Sequence, residues 1–333
     1  MGSRGRIVEI ATEKPYLSVT WKVSNYCNYA CEYCNPNNRS GKFSREDNLQ
    51  DYIDALDDIF LMYLSSGYKN VKFFFTGGEP TVWNNFIPLC SWIKEKFPQA
   101  SITVETNLSR PLSWWEENHR LFDEVLSSFH IEFAQQDKYL EKAYFLCDKL
   151  AHLGHKLMLD DRRFWEVVEF AETLKQSVPN YYIEYVPLTG VLTTEEIYRG
   201  DEEIMAFIDS HRSPEMDFTE YKPVNKSTDF RSEVRYADGS SEECNGWQLS
   251  AEQNNVFKGW ECDIGDNLFI GDDGCVSMAG CGTKFRIGHI LNDRSNIVPE
   301  TVICDKQACW NGSDIVIPKR LPQFELINAV QEN

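Results

Sequence analysis

Apolar runs and helix-patterned stretches alternate six times between Leu17 and Ser210. The runs Leu17–Val23, Val71–Phe75, Ile102–Thr106, Val125–Phe133, His155–Leu159 and Tyr181–Val186 are short and bounded, as buried strands are. Between them the apolar positions follow helical spacing. After Ser44, read as an N-cap, Leu49, Tyr52, Ile53, Leu56, Ile59, Phe60 and Tyr63 make one stripe, which Gly67 closes. Phe164, Val167, Val168, Ala171 and Leu174 make another, and Glu195–Ser210 reads as the sixth helix. Strand–helix alternation implies a parallel sheet with right-handed crossovers. Six units fall short of a closed eight-fold barrel. The expected fold class is therefore α/β, an open, partial (β/α)6 TIM-like barrel with ligands at the C-terminal strand ends.

Beyond His211 the pattern changes. The stretch 212–258 is polar and irregular, with a hairpin turn at Tyr236-Ala-Asp-Gly-Ser. After Gly259 come Cys262, Cys275, Cys281, Cys304 and Cys309, with a second hairpin across Leu268–Val276. Three segments follow: a barrel over 1–211, a connector over 212–258, and a small C-terminal cysteine domain and tail over 259–333.

Composition narrows the chemistry. With 33 basic against 52 acidic residues, the net charge is −19 and no basic run stands out. Such a surface repels polyanions, so bulk nucleic acid is not an expected partner. The sequence shows neither a membrane-length apolar stretch, which takes about 20 residues, nor the apolar core of a secretory signal. The expected location is cytoplasmic. Eleven cysteines in that compartment point to metal or redox chemistry before disulfides.

Cys27, Cys31 and Cys34 lie just after the first apolar strand, in NYCNYACEYC. Three thiolates can hold three corners of a [4Fe–4S] cube and leave one iron open to a small molecule. A zinc knuckle is the competing reading, but zinc favours four ligands and the loop offers neither a fourth Cys nor a His. One unit later, Thr76-Gly-Gly-Glu-Pro80 follows the strand VKFFF. Its glycines permit a sharp bend and close backbone approach, and Glu79 with the free backbone groups could hold an ammonium.

CNYACEYC resembles the CxxxCxxC signature of the radical S-adenosylmethionine (SAM) superfamily, and Gly77, Gly78, Glu79 and Pro80 are similar to its GGEP motif letter for letter. That resemblance implies that SAM binds the open iron through its amine and carboxylate. Reduction then yields methionine and a 5′-deoxyadenosyl radical. It implies that Cys27, Cys31 and Cys34 hold the catalytic cluster and that Tyr33 lies against adenine. Thr106 and Asn107 resemble the step ending the third strand in many members, although Leu108 stands where a glycine is usual. On the fourth strand, Ser128 and His130 alternate onto one face and are expected to reach SAM. Glu132, placed on the same face, and Asp160, Asp161 and Glu184 at later strands are candidate substrate contacts.

Cys262, Cys281, Cys304 and Cys309 resemble the auxiliary-cluster domain called twitch or SPASM, which implies one further [4Fe–4S] cluster. Cys275 is an alternative ligand or a free thiol, and a zinc ribbon is the competing reading. Cys90 and Cys147 fall in helical patterns and read as core. Cys244 sits alone in the connector, where a mobile thiol could donate a hydrogen atom.

The expected activity is reductive cleavage of SAM and hydrogen abstraction, with net oxidation through the auxiliary cluster. An electron donor such as flavodoxin or ferredoxin is implied. Only 26 residues precede Cys27, which favours a small polar substrate over a peptide presented by a separate partner. A third reading, a non-catalytic iron–sulfur or zinc-binding interaction protein, is disfavoured by the intact cysteines and GGEP.

Overall fold

Strand after strand, side chains from one face of a parallel sheet pack under helices while the other face stays polar and half-buried. The structure, a computed structural model, describes residues 5–11, 16–35, 39, 48–179, 181–188, 198, 201–211, 219–222 and 231–322. A first short strand, β1 (Ile7–Ala11), precedes β2 (Tyr16–Lys22). The units that follow are α1 (Leu49–Ser65), β3 (Asn70–Thr76), α2 (Phe86–Lys96), β4 (Ser101–Thr106) and α3 (Leu112–Asn118). Then come β5 (Glu124–Phe129), α4 (Gln136–Leu146), β6 (His152–Leu159), α5 (Phe164–Ser177) and β7 (Tyr181–Pro187). Strands β2 to β7 pair in sequence order, all parallel.

The alternation along each strand divides the sheet. Leu17, Val19 and Trp21 of β2 and Val71, Phe73 and Phe75 of β3 are buried. They form one core with Tyr52, Leu56, Ile59, Phe60 and Tyr63 of α1. That helix starts at Asn48, whose side chain caps the Gln50 N–H. Gly67 follows its end with φ of 95°. Ser44 and residues 195–197 lie outside the described residues, and the sixth helix is seen over Glu202–His211.

One boundary differs with consequence. The fourth parallel strand stops at Phe129, not Phe133. The His130 carbonyl accepts the N–H groups of Phe133 and Ala134 at 3.0 and 2.9 Å, so the chain turns there. Glu132 therefore leaves the strand face that Ser128 occupies.

The sheet is open and longer than six strands. It runs on through β8 (Thr219–Lys222), antiparallel to β7. Next in the chain are β9 (Arg231–Tyr236), β10 (Ser241–Asn245) and β11 (Glu261–Cys262). They are followed by β12 (Asn267–Ile270), β13 (Cys275–Met278) and β14 (Lys284–His289). Both expected hairpins form, β9 with β10 and β12 with β13. β12 lies parallel against β2, with Asn267 opposite Ser18, so the C-terminal hairpin extends the large sheet. The last strands are β15 (Val302–Ile303) and β16 (Lys319–Arg320). A second sheet has the order β10-β9-β1-β16-β11-β15 and gathers strands from both ends of the chain.

Candidate functional site

The cysteine loop leaves β2 at its C-terminal end, beside the GGEP turn that leaves β3. Backbone bonds join the two. Gly78 N–H donates to the Ser24 carbonyl and Glu79 N–H to the Tyr26 carbonyl, both at 2.8 Å. The glycines are needed for this approach. A β-carbon at Gly78 would lie 1.9 Å from the Tyr26 oxygen, and one at Gly77 would lie 2.4 Å from the Ser24 oxygen. Gly77 also holds φ of 132°.

Glu79 braces this junction from beneath. It is 1% exposed. Its Oε1 accepts Thr81 N–H (3.1 Å), Thr81 Oγ1 (2.6 Å) and Thr106 Oγ1 (2.7 Å), and its Oε2 accepts Asn107 N–H (2.6 Å). Burial pushes its carboxyl pKa up while these donors pull it back. Each of these donors comes from the chain itself. Glu79 thus brackets the two turns together from a buried position. Pro80 opens the short helix that Glu79 caps.

Asn107 ties the third parallel strand to the cysteine loop. Its Nδ2 donates to Asn28 Oδ1 at 2.9 Å and reaches Cys27 Sγ at 3.7 Å. The Tyr29 N–H also points at Cys27 Sγ, at 3.3 Å. Burial pushes all three thiols up, Cys31 to about 12; Cys34 raises Cys27 and Cys31 as well, and Cys27 raises Cys31. N–H donors on sulfur and mutual repulsion of thiolates suit soft-metal ligation, where metal replaces the protons. Among the described residues, however, no group of three or more His, Cys, Asp or Glu side chains is drawn in around one metal position. The loop fits a cluster by its donor chemistry and placement, without a preformed cage.

Aromatic rings cover the loop. Tyr33 stacks on His130 at 6.0 Å, and its hydroxyl meets His130 Nδ1 at 2.8 Å. Tyr29 stacks on the exposed Phe133 at 5.2 Å. Burial lowers the His130 pKa to about 4, so the ring is neutral at pH 7. On the polar face below, Ser128, Lys156 and Glu184 sit in register across β5, β6 and β7. Lys156 bonds Glu105 at 2.6 Å, and Thr76 Oγ1 donates to the same carboxylate at 2.7 Å. Burial alone would raise Glu105, but Lys156 holds it below the usual carboxylate range. Glu105 and Lys156 are site residues that sequence reasoning passed over. Their signal was a charged residue at alternate positions of two otherwise apolar strands.

The expected substrate residues divide. Glu184 faces the site through its row with Lys156. Asp160 and Glu132 are instead joined by Arg162, which also reaches Glu32 at 2.8 Å. Glu132 additionally accepts the Glu32 N–H at 3.3 Å. This network braces the cysteine loop against the fourth and fifth strand ends. Asp161 is exposed.

Cys262, Cys281, Cys304 and Cys309 lie near enough for their charges to interact, again without a preformed cage among the described residues. Cys262 faces Lys319 across the β11–β16 ladder. Cys304 N–H donates to Trp260 and Cys309 N–H to Asn255, both at 2.8 Å. Burial is the main cause that holds Cys262 up at about 11 and Cys309 at about 12; the buried Lys319 pulls both down and Cys281 pushes both up. Cys275 starts β13 at the hairpin tip, six residues before Cys281. Three strand steps, about 10 Å at about 3.4 Å per residue, separate it from Met278 at the other end of β13, beyond which Cys281 lies. Cys244 is fully buried in the second core with Ile10, Val234 and Cys309, and so is not a mobile thiol.

Residues 21–193 match the radical SAM superfamily, and the chain belongs to it. Among curated proteins it is similar to a GTP 3′,8-cyclase of Pasteurella multocida (strain Pm70), 26% identical over 113 residues, 32% of each chain. A second GTP 3′,8-cyclase, of Actinobacillus pleuropneumoniae serotype 5b (strain L20), is 23% identical over 108 residues, 32% of this chain and 31% of that one. The matched stretch thus spans about a third of these relatives. Among solved structures, native anSMEcpe with bound AdoMet aligns over 85% of this chain and 80% of that one. Its identity is 15% and its TM-score 0.48. Streptococcus suis SuiB bound to S-adenosylmethionine aligns over 80% and 61%, with 12% identity and a TM-score of 0.43.

Proposed function

We propose that this chain reductively cleaves SAM and abstracts a hydrogen atom from a small polar substrate, with net oxidation through an auxiliary cluster. The observation that carries this reading is the backbone clamp between the GGEP turn and the cysteine loop. It joins two motifs of the superfamily into one rigid corner at the strand ends, where a partial barrel binds its ligands. When bound to Cys27, Cys31 and Cys34, a [4Fe–4S] cluster supplies the electron that breaks the sulfonium bond.

The chain's own residues do the rest. Tyr33 and the neutral His130 offer flat surfaces for an adenine ring. Ser128, Lys156, Glu105 and Glu184 line the floor with hydrogen-bonding and charged groups, which suits a polar substrate such as a sugar, nucleotide or amino-acid derivative. Cys262, Cys281, Cys304 and Cys309 would hold the second cluster, as a one-electron outlet. A donor such as flavodoxin or ferredoxin would feed the first.

Anaerobic reconstitution with iron, sulfide, SAM and dithionite tests the reading. The wild type is expected to release 5′-deoxyadenosine and Cys27→Ala none above background; equal release would reject it. Iron and sulfide for two cubes per chain are expected. One cube, or zinc retained at the C-terminal cysteines, would reject the auxiliary cluster.

A further inference from the structure

Leu108 follows the Thr106–Asn107 step with φ of 55°, the left-handed region in which a β-carbon is crowded. Its side chain is bound into the core, 1% exposed. Its backbone is held at both ends. The N–H donates to Thr106 Oγ1 at 3.1 Å, and the carbonyl accepts from Lys142 Nζ. Lys142 lies on the buried face of α4 with Tyr139, Ala143 and Leu146. An ammonium at a core position is costly unless it is hydrogen-bonded, and here it is spent on one backbone carbonyl.

What the turn aims is Asn107. That residue's N–H is on Glu79, its Nδ2 is on Asn28 and near Cys27 Sγ, and its Oδ1 accepts the Ser109 N–H at 3.0 Å. Ser109 Oγ in turn accepts from Asn28 Nδ2 at 2.9 Å. The turn 106–109 thereby grips Cys27 and Asn28 through several bonds, all dependent on Leu108 keeping an unfavourable conformation.

We propose that Lys142 is a positioning residue for the cysteine loop: by anchoring the Leu108 carbonyl it holds the left-handed turn that aims Asn107 at Cys27 and Asn28. Lys142 acts on the loop through the Leu108 carbonyl. The consequence for SAM rests on the function proposed above; the consequence for the turn does not. A glycine at 108 would adopt the same backbone without help, so the lysine compensates for the leucine.

The test compares Lys142→Met in two backgrounds, wild type and Leu108→Gly. Amide hydrogen exchange is read at Asn107, Leu108 and Ser109. In the wild-type background, Lys142→Met is expected to speed exchange about tenfold or more while the melting of the remaining sheet stays cooperative. In the Leu108→Gly background, the same substitution is expected to change it less than about threefold, because the pair is coupled. After iron–sulfur reconstitution, the SAM dissociation constant should rise about tenfold in Lys142→Met at unchanged iron content. It should be insensitive to Lys142→Met in the glycine background. Wild-type exchange rates in Lys142→Met, or equal effects in both backgrounds, would overturn the proposal. A wild type that takes up no iron would sink the proposed function, while the exchange measurement still decides the role of Lys142.

Discussion

His155 shows how much a single side chain can cost and where that cost is felt. It is fully buried against Ser127 Oγ at 2.8 Å and Tyr139 hydroxyl at 3.1 Å, and its Nε2 has no partner among the described residues. Burial, with His152 adding, lowers its pKa from 6.5 to about 3. Below pH 6.5 the unfolded chain takes up a proton that the folded chain refuses. The stability is therefore complete above that pH and is lost as the pH falls towards 3, by about 1.4 kcal/mol per unit. Urea unfolding of the wild type should steepen its pH dependence between pH 6 and 4 relative to His155→Gln. Matching slopes would refute the assignment. The same residue scale explains a partial reading of the site. GGEP and the three cysteines were legible as letters, but the work of Glu79 was not. A carboxylate's partners come from Thr106 and Asn107, brought in by folding, and sequence spacing does not reveal them.

At the scale of elements, the site depends on one turn fitting another. The GGEP turn leaves no room for a β-carbon at Gly78. Gly78→Ala is expected to break the bond to the Ser24 carbonyl and lower iron uptake by the first three cysteines about tenfold or more, with far-ultraviolet circular dichroism kept. Normal iron uptake in that variant would show that the clamp is dispensable. The parallel strands themselves were readable, because a buried strand is a short apolar run with its own boundaries. The end of β5 was misjudged because Ile131 and Phe133 continue the apolar alternation through a turn that His130 closes with backbone bonds. The pairing of β12 with β2 was unreadable for another reason: it joins segments remote in sequence, and nothing in either run names its neighbour.

For the whole molecule, the C-terminal region acts as part of the main sheet. β12 covers the edge of β2, and the hydroxyls of Tyr63 and Tyr68 bond Gly265 (at 2.8 Å) and Asp266 next to it. Leu268, Ile270, Val276 and Met278 belong to the same core as the helices of the parallel units. A chain ending at residue 258 would bare the β2 edge and that apolar surface. It is expected to aggregate or lose cooperative unfolding, as light scattering and thermal denaturation would register; a soluble, cooperatively melting fragment would contradict this. This interlocking is a property of the folded topology, joining segments that composition and local pattern leave unrelated.

The pairing of β1 with β16 and of β2 with β12 has a consequence for how the protein is made. Ribosomes deliver the N-terminal strands first, and each sheet then waits for a partner at the far end of the message. The loop with Cys27 emerges long before Cys304 and Cys309 have been translated. The two cysteine sets are thus separated in time before one fold joins them, and the N-terminal loop meets its surroundings first.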